Sequence, residues 1–288
     1  MPAYTNGNLA VIVSLPIIET AHLFAPLDAT LVELLRSLEA REWAMPTVAP
    51  KWDVKDVAAH LLDTQQRLVS RLRGEPQPAP PPIRSNADLV AFINRLNADG
   101  VARYRALDPR ELIDRMEEGG REFAEHHRAM DPLADAPLGV SWAGESRSSN
   151  WFHTAREFTE RWHHQQQIRL AVNRPGIMTP ELYHPVLDCF MRALPFAYRG
   201  VVRAEGTVAR FVVDGECGGS WYLSRAAGGW RLTGAAPGGT ASETAIPQEI
   251  AWLIFTKGMS RASAERQVRL SGDTDLGRHV LAMITIVG

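Results

Sequence analysis

Through about the first two thirds of the chain, apolar residues recur at intervals of three and four, which is the spacing of amphipathic helices. The clearest run extends from about Glu19 to Glu39, and Pro26 within it suits the first turn of a helix. Its apolar positions are Leu23, Leu27, Leu31, Leu34, Leu35 and Leu38. The pattern predicts a first long helix that packs through this leucine face.

Capping residues and prolines divide the rest of this region into further helices. Polar caps followed by apolar positions at helical spacing are expected to begin helices at Asp53, Ser85 and Asp108. Residues 74–84 and 131–148 are rich in Pro, Gly or Ser and are predicted to be connections. The predicted helices cover about 53–73, 85–107, 108–130, 149–174 and 179–197.

After Tyr198 the pattern changes to an alternation of apolar and polar residues with glycines between the runs, as in VARFVVDG, SWYLSRA and GWRLTGA. This pattern is typical of an antiparallel meander. A helix over about 246–257, a strand QVRLSG and a helix over about 273–283 are expected after it. The predicted fold class is therefore α plus α+β, with a helical bundle over residues 1–198 and a small α+β domain over 199–288.

The composition is that of an ordinary globular protein, with 288 residues of which 45% are hydrophobic and 22% are charged. The net charge of −2 gives no electrostatic support for binding to nucleic acid or to an anionic membrane. Cys189 and Cys217 are too few for a disulfide framework or a cysteine zinc site. Any metal is then held by His, Asp or Glu, and reduced thiols in a cytoplasm are the expectation.

An apolar run from Leu9 to Ile18, interrupted by Pro16, lies near the N-terminus. It is too short to span a bilayer, and without a preceding Lys or Arg it makes a poor signal peptide. We expect a strand or an extended segment that packs on the domain.

The helix predicted from residue 149 carries a polar stripe. Counted from His153, the positions at +3, +7, +11 and +14 fall within an arc of about 80°. These positions hold Arg156, Glu160, His164 and Gln167, and the other sides carry Phe152, Phe158, Trp162 and Ile168. The bulky apolar groups favour a stripe that faces an internal cavity. The alternative is a solvated face in which Arg156 and Glu160 form an ion pair.

His60 lies on the apolar side of the helix predicted from Asp53 and is expected to point inward. Such a histidine is either a core residue with satisfied hydrogen bonds or a metal ligand. Helical bundles build metal sites from ligands on facing helices, and Glu160 and His164 leave their own helix on one face, one turn apart. Two histidines and one carboxylate leave a fourth position open on zinc, as in catalytic sites.

The remaining histidines are weaker candidates. His126 and His127 lie on a polar stretch that is typical of a solvated face. His163 is expected to point about 100° away from His164, and His153 to lie about 16 Å from it along the helix axis. The sequence contains no HExxH, no Gly-rich phosphate loop and no G-x-S-x-G motif.

The stretch AREWAMPTVAPKWDVKDVAAHLLD closely resembles the N-terminal signature of the mycothiol-dependent maleylpyruvate isomerase family. The tryptophan of that signature corresponds to Trp52, and the step that follows it corresponds to residues 53–57. Its A-H-L element corresponds to Ala59, His60 and Leu61. The histidine of this element is the first metal ligand of the family.

A second signature of the family is an R-x-x-x-E-x-x-x-H run, which the chain resembles at Arg156, Glu160 and His164. Gln167 and Ala171 follow it. The family usually has Asp at the position of Gln167. Glutamine keeps the hydrogen bonding of that position but adds no charge.

The resemblance implies a DinB-like four-helix bundle that holds a divalent metal, usually zinc, on His60, Glu160 and His164. It also implies mycothiol or another low-molecular-weight thiol as cosubstrate. The late L-S-G-D motif at residues 270–273 resembles the sterol-carrier-like domain that often follows this bundle.

The resulting hypothesis is a cytoplasmic metal-dependent enzyme, an isomerase or S-transferase, in which a thiol attacks a small electrophilic substrate. Arg156 is the candidate catalytic residue because it shares the stripe with Glu160, and Arg169 and Gln167 are candidate contacts to the thiol. The alternatives are a non-catalytic module that binds a metal or an apolar ligand, and a metal-dependent hydrolase. The sequence leaves open whether the protein is a monomer or a homodimer.

Overall fold

The computed structural model describes residues 15–79, 81–236 and 238–285, so residues 9–14 of the predicted N-terminal segment lie outside the described residues. The first two thirds of the described chain are helical, as the apolar spacing predicts. The helices are α1 Phe24–Arg36, α2 Val54–Leu72, α3 Asn86–Arg105, α4 Pro109–Ala129, α5 Asn150–Ala171, α6 Pro180–Met191 and α7 Leu194–Ala197. Short 3₁₀ turns occur at Ala21–Leu23, Glu42–Ala44 and Ser141–Ala143.

The predicted caps begin their helices. Asp53 and Asp56 form a capping box at α2, in which each side chain accepts a hydrogen bond from the backbone N–H of the other residue. Ser85 and Asp108 accept from backbone N–H groups at the starts of α3 and α4. The prediction for the end of the first helix was wrong, because α1 ends at Arg36 rather than Glu39.

Helices α1, α2, α4 and α5 pack together as a four-helix bundle. Helix α3 packs on the outer side of α2, and none of its described side chains before Gly100 is buried. Helix α6 packs against α5. The predicted bundle is confirmed, and α3 is an additional helix that covers one side of it.

A buried polar network crosses the bundle. The Arg161 guanidinium on α5 donates to Asp28 Oδ1 on α1 over 2.9 and 2.7 Å, and to Gln65 Oε1 on α2 over 3.2 Å. The Gln65 amide in turn donates to the Met116 carbonyl oxygen on α4 over 2.8 Å. Hydrogen bonds therefore connect all four helices and fix their relative rotation.

The C-terminal part forms a mixed five-stranded sheet. Its strands are β1 Val208–Asp214, β2 Gly219–Ala226, β3 Gly229–Thr233, β4 Ser242–Pro247 and β5 Arg269–Gly272, in the order β3-β2-β1-β4-β5. The predicted antiparallel meander is confirmed for β1 to β3, whereas β4 pairs parallel to β1 and was not predicted. The helices of this part are α8 Gln248–Phe255, α9 Arg261–Glu265 and α10 Thr274–Arg278, followed by a 3₁₀ turn at His279–Ala282.

One hydrophobic core joins the sheet to α5 and α6. The rings of Trp162 on α5 and Tyr183 on α6 stack with centroids 4.3 Å apart, and the Tyr183 hydroxyl donates to the Gln248 carbonyl oxygen over 2.8 Å. Trp252 and Phe255 on α8 are buried in the same core. These late apolar residues are therefore ordinary core residues, and they pack against the Trp162 side of α5.

Candidate metal centre

Helices α2 and α5 run antiparallel and bring two histidines together. Gln65 contacts Arg161, and His60 meets His164, so residue numbers rise along α2 while they fall along α5. The imidazole centroids of His60 and His164 are 4.6 Å apart, with the rings at 69°. The inward direction expected for His60 is correct, since only 5% of this residue is exposed.

Glu160 on α5 lies beside the imidazole of His164. Its Oε2 atom lies 3.7 Å from His164 Nε2. Two ligands bound to one tetrahedral zinc ion, with bonds of about 2.0–2.2 Å, are about 3.3–3.6 Å apart. The distance between the Glu160 oxygen and the His164 nitrogen is therefore only slightly longer than the distance between two ligands of one zinc ion.

Gln167 determines which nitrogen of His164 is available. The Gln167 amide oxygen lies 2.9 Å from His164 Nδ1. Because an amide oxygen accepts hydrogen bonds and cannot donate them, Nδ1 carries the proton. The lone pair of His164 then lies on Nε2, the atom that faces Glu160.

His163 also comes close, which the sequence analysis did not predict. The imidazole centroids of His163 and His164 are 4.0 Å apart, and the ligand atoms of Glu160, His163 and His164 all lie within 4.8 Å of one another. The expectation that His163 points away was wrong, because the two rings come together even though their Cβ atoms are 100° apart. His163 Nδ1 lies 3.8 Å from Glu160 Oε2 and donates to the Thr159 carbonyl oxygen over 3.2 Å, so in this arrangement it has no lone pair to offer a metal.

His60 approaches this cluster through His164. Among the described residues, the 4.8 Å set does not include His60, so an ion shared by His60, Glu160 and His164 requires these side chains to draw closer. His60 Nδ1 is buried and has no hydrogen-bond partner. The Trp52 ring covers the pair, with centroids 4.7 Å from His60 and 5.9 Å from His164. A buried nitrogen without a partner is an atom that a bound cation would satisfy.

Burial keeps these imidazoles neutral. It lowers the pKa of His164 to about 3 and of His163 to about 4, and it holds the pKa of His60 well below its usual value with a contribution from the nearby His164. A neutral imidazole has a lone pair to offer, so at neutral pH these rings are ready to bind a metal. Burial raises the pKa of Glu160, and a cation beside it would favour its charged form.

The donor set fits a divalent ion. Imidazole nitrogens with one carboxylate oxygen are ligands that suit zinc, and few ligands from the protein leave room for a further group on the ion. The carboxylate supplies the negative charge that offsets part of the charge of the cation.

Arg156 is paired with its neighbour Glu157. Its guanidinium bonds the carboxylate of Glu157 and lies 3.4 Å from His153 Nδ1. The alternative interpretation, a solvated face with an ion pair between Arg156 and Glu160, is therefore wrong as to the partner of Arg156. Burial would raise the pKa of Glu157, but the Arg156 charge beside it lowers that pKa to about 2. Glu157 is thus ionised at neutral pH, and it neutralises much of the Arg156 charge.

Arg169 holds backbone. It donates to the carbonyl oxygen of Thr30 over 2.9 Å and to those of Arg174 and Pro175 over 3.2 Å. These contacts join the end of α5 to α1 and favour a structural role over the predicted contact with a thiol.

His127 corrects another expectation. The residue is buried rather than solvated, with its ring centroid 4.6 Å from Phe24 and 4.4 Å from Phe123. Its Nδ1 bonds the Phe123 carbonyl oxygen over 2.9 Å. It is a core histidine at the contact of α4 and α1. The expectation was wrong because the residues next to it in sequence are polar, whereas the residues next to it in space are aromatic.

Among the residues that the structure describes, no helix combines the length and the apolar character that crossing a bilayer demands.

Comparison with known proteins supports the resemblance. The model of the mycothiol maleylpyruvate isomerase N-terminal domain matches residues 24–169, which contain α1 to α4, all but the last two residues of α5, and all the candidate ligands. A crystal structure of a histidine-to-alanine mutant of the mycothiol-dependent maleylpyruvate isomerase has a TM-score of 0.52 and 13% identity, over 89% of this chain and 93% of that chain. A second crystal structure of that enzyme has a TM-score of 0.49, with 13% identity over 89% of this chain and 93% of that chain.

No curated protein matches the chain. The structural likeness extends over both the bundle and the sheet, so the two parts together correspond to the fold of that isomerase. The family model covers more than half of the chain and includes both helices that carry the histidine pair. The chain therefore belongs to the mycothiol maleylpyruvate isomerase N-terminal domain family.

Proposed function

We propose that the protein is a thiol-dependent isomerase that converts the cis double bond of a small electrophilic acid to trans. The thiol is a low-molecular-weight one such as mycothiol, and the reaction uses a divalent metal, for which zinc is the best-suited ion. Membership of the family supports the isomerase and the thiol. The meeting of His60 and His164 beside Glu160 supports the metal and is the observation on which the proposal depends.

Each residue of the site has a defined part in this proposal. His60, Glu160 and His164 would hold the ion, and His163 is a further imidazole beside Glu160 and His164. When bound, the ion would supply the Lewis acidity that favours a thiolate over a thiol at neutral pH. Gln167 keeps the Nε2 lone pair of His164 directed at Glu160 by accepting a hydrogen bond from Nδ1–H.

The surroundings favour reactive anions. Trp52 covers the two imidazoles and limits the access of water from that side. Arg156 and Glu157 neutralise each other, so they add little net charge to the space beside Glu160. A divalent ion with the single charge of Glu160 then leaves a positive site, which attracts a thiolate and a carboxylate substrate.

The test measures metal content and isomerisation together. The wild type, His164→Ala and a control His184→Ala, a histidine on α6 away from the cluster, are purified and analysed for metal. Conversion of maleylpyruvate to its trans isomer is then followed by NMR with and without a thiol cosubstrate. We expect metal and thiol-dependent conversion in the wild type and the control, and loss of both in His164→Ala.

Two outcomes contradict the proposal in different ways. Equal, near-zero metal in the wild type and His164→Ala would remove the metal centre. Consumption of maleylpyruvate to hydrolysis products, equally fast with and without thiol and with no trans isomer formed, would favour the metal-dependent hydrolase, in which bound water takes the place of the thiol.

A further inference from the structure

A row of polar side chains continues along the contact of α2 and α5, away from the histidine pair. Seven residues after His60 on α2 is Arg67, and seven residues before His164 on α5 is Glu157. Because the two helices are antiparallel, both steps lead in the same direction by about 10 Å. Arg67 and Glu157 therefore lie at one level, two helical turns from the imidazoles. We call the row formed by Thr64, Arg67, Glu157 and Glu160 the α2–α5 seam.

Partial exposure distinguishes the seam from the surrounding core. The exposed fraction of the side chain is 25% for Arg67, 24% for Glu157 and 28% for Glu160. Neighbouring positions on the same helices, such as Leu61 and Trp162, are buried. Charged groups that are about one quarter exposed inside a bundle lie where water reaches between the helices, so this row is open to solvent.

Arg67 is held from its rear side. Its Nε lies 3.1 Å from Asp63 Oδ2, and Nη2 donates to Asn97 Oδ1 on α3 over 3.4 Å. Among the described residues, Nη1 has no hydrogen-bond partner. A guanidinium fixed on one edge with donors remaining on the other is suited to a carboxylate.

The charges around Arg67 differ from those around Arg156. Burial lowers the pKa of Arg67, and the nearby charges of Arg71 and Arg103 lower it further. The charges of Asp63 and Glu157 act in the opposite direction. Further cations thus gather at this level of the seam. Arg156, by contrast, has Glu157 in direct contact and Glu160 nearby, both of which raise its pKa although burial opposes them. Arg67 is itself paired with Asp63, but its Nη1 has no partner among the described residues and can donate to an incoming anion.

We propose that Arg67 binds the carboxylate of the substrate and selects acids over neutral analogues. The Arg156–Glu157 pair forms the facing wall of the seam. This inference rests on the proposed function and names the residue that recognises its substrate. The substrate it predicts carries its carboxylate several bonds from the reacting double bond, since Arg67 and the histidine pair are two helical turns apart.

The first experiment measures binding without turnover. Calorimetric titration with adipate, a saturated dicarboxylate, is carried out on the zinc-loaded wild type, Arg67→Met and Arg67→Lys, with neutral adipamide as the comparison ligand. Loss of a charged hydrogen bond is expected to weaken adipate binding about tenfold in Arg67→Met, with Arg67→Lys between the two. Adipamide is expected to show no difference among them.

Two further variants control for structural effects. Arg73→Met, directly after the end of α2 and paired with Glu122 at the surface, is expected to bind adipate as the wild type does. Asp63→Asn combined with Arg67→Met removes the buried carboxylate that would otherwise lose its partner, and it is expected to show the same weakening as Arg67→Met. Zinc content is measured in all variants and is expected to be unchanged.

Kinetics with maleylpyruvate complete the test. Arg67→Met is expected to raise KM about tenfold with kcat nearly unchanged, because the carboxylate is bound before and during the reaction. If the wild type turns over no maleylpyruvate, the proposed function fails and the adipate titration still decides the role of Arg67. Equal adipate affinity in the wild type and Arg67→Met, or no adipate binding to the wild type, overturns the inference.

Discussion

Gln167 controls His164 through one hydrogen bond, the 2.9 Å contact between its amide oxygen and Nδ1. Replacing it by Leu removes the acceptor, so Nδ1–H loses its partner and the ring loses its fixed tautomer. We expect Gln167→Leu to weaken metal binding by about 10–100-fold. Gln167→Asp is expected to strengthen it, because a carboxylate makes the ring a more basic ligand. Competition between the protein and a chelator for zinc measures both changes, and unchanged affinity in Gln167→Leu would contradict the assignment.

The positions of several site residues could be predicted from the sequence alone. Helical spacing placed Glu160 and His164 on one face and directed His60 inward, and both follow from geometry that each helix fixes by itself. His163 could not be placed this way, because the convergence of its ring on His164 depends on side-chain torsions. The preference of Arg156 for Glu157 over Glu160 is a further choice among rotamers that spacing does not determine.

At the scale of elements, Gly100 sets how closely α3 approaches α2. A Cβ atom at this position would lie 2.1 Å from the Asp63 carboxyl carbon, and Asp63 is buried. We expect Gly100→Ala to destabilise the protein by about 1–3 kcal/mol, although alanine is the better helix former by about 1 kcal/mol. Urea unfolding measures the change. In an Asp63→Ala background the same substitution is expected to cost much less, and an equal cost there would show that Asp63 is not the obstacle.

Local chemistry explains which elements could be predicted. The caps at Asp53, Ser85 and Asp108 act within one turn, so their sequence signals are reliable. Strand β4 was missed because two of its buried positions, Ser242 and Thr244, are polar and hide the alternation. That α3 lies outside the four-helix bundle depends on tertiary packing, and its half-buried apolar residues resemble those of any amphipathic helix.

At the scale of the whole molecule, the Arg161 network ties the bundle together. Arg161→Met leaves the buried Asp28 carboxylate without its partner, and we expect a loss of about 3–5 kcal/mol. Asp28→Leu combined with Arg161→Met removes both charges and is expected to be more stable than Arg161→Met alone. The matched control is Arg36→Met, whose pair with Glu117 is exposed and worth about 1 kcal/mol or less. Denaturant unfolding measures the stability of the wild type, the two single variants and the double variant. A double variant that is no more stable than Arg161→Met would contradict the argument.

The pH dependence of folding tests the buried histidines together. Burial lowers the pKa of His153 to about 4, against 6.5 in an unfolded chain, and His163 and His164 shift in the same direction. Between about pH 6.5 and pH 4, these histidines are therefore protonated in the unfolded state and neutral in the folded state. Stability then falls as the pH falls through this window, by up to about 1.4 kcal/mol per pH unit for each histidine.

One variant isolates this effect from the raised pKa of Glu160, which acts in the opposite direction. His153→Gln, measured by urea unfolding in the presence of a chelator, is expected to lose less stability than the wild type between pH 6.5 and pH 4. Above pH 7 the two proteins should differ by a constant amount, because His153 is neutral in both the folded and the unfolded state. Stability curves that stay parallel from pH 7 to pH 4 would mean that His153 accepts its proton as readily in the folded protein as in water.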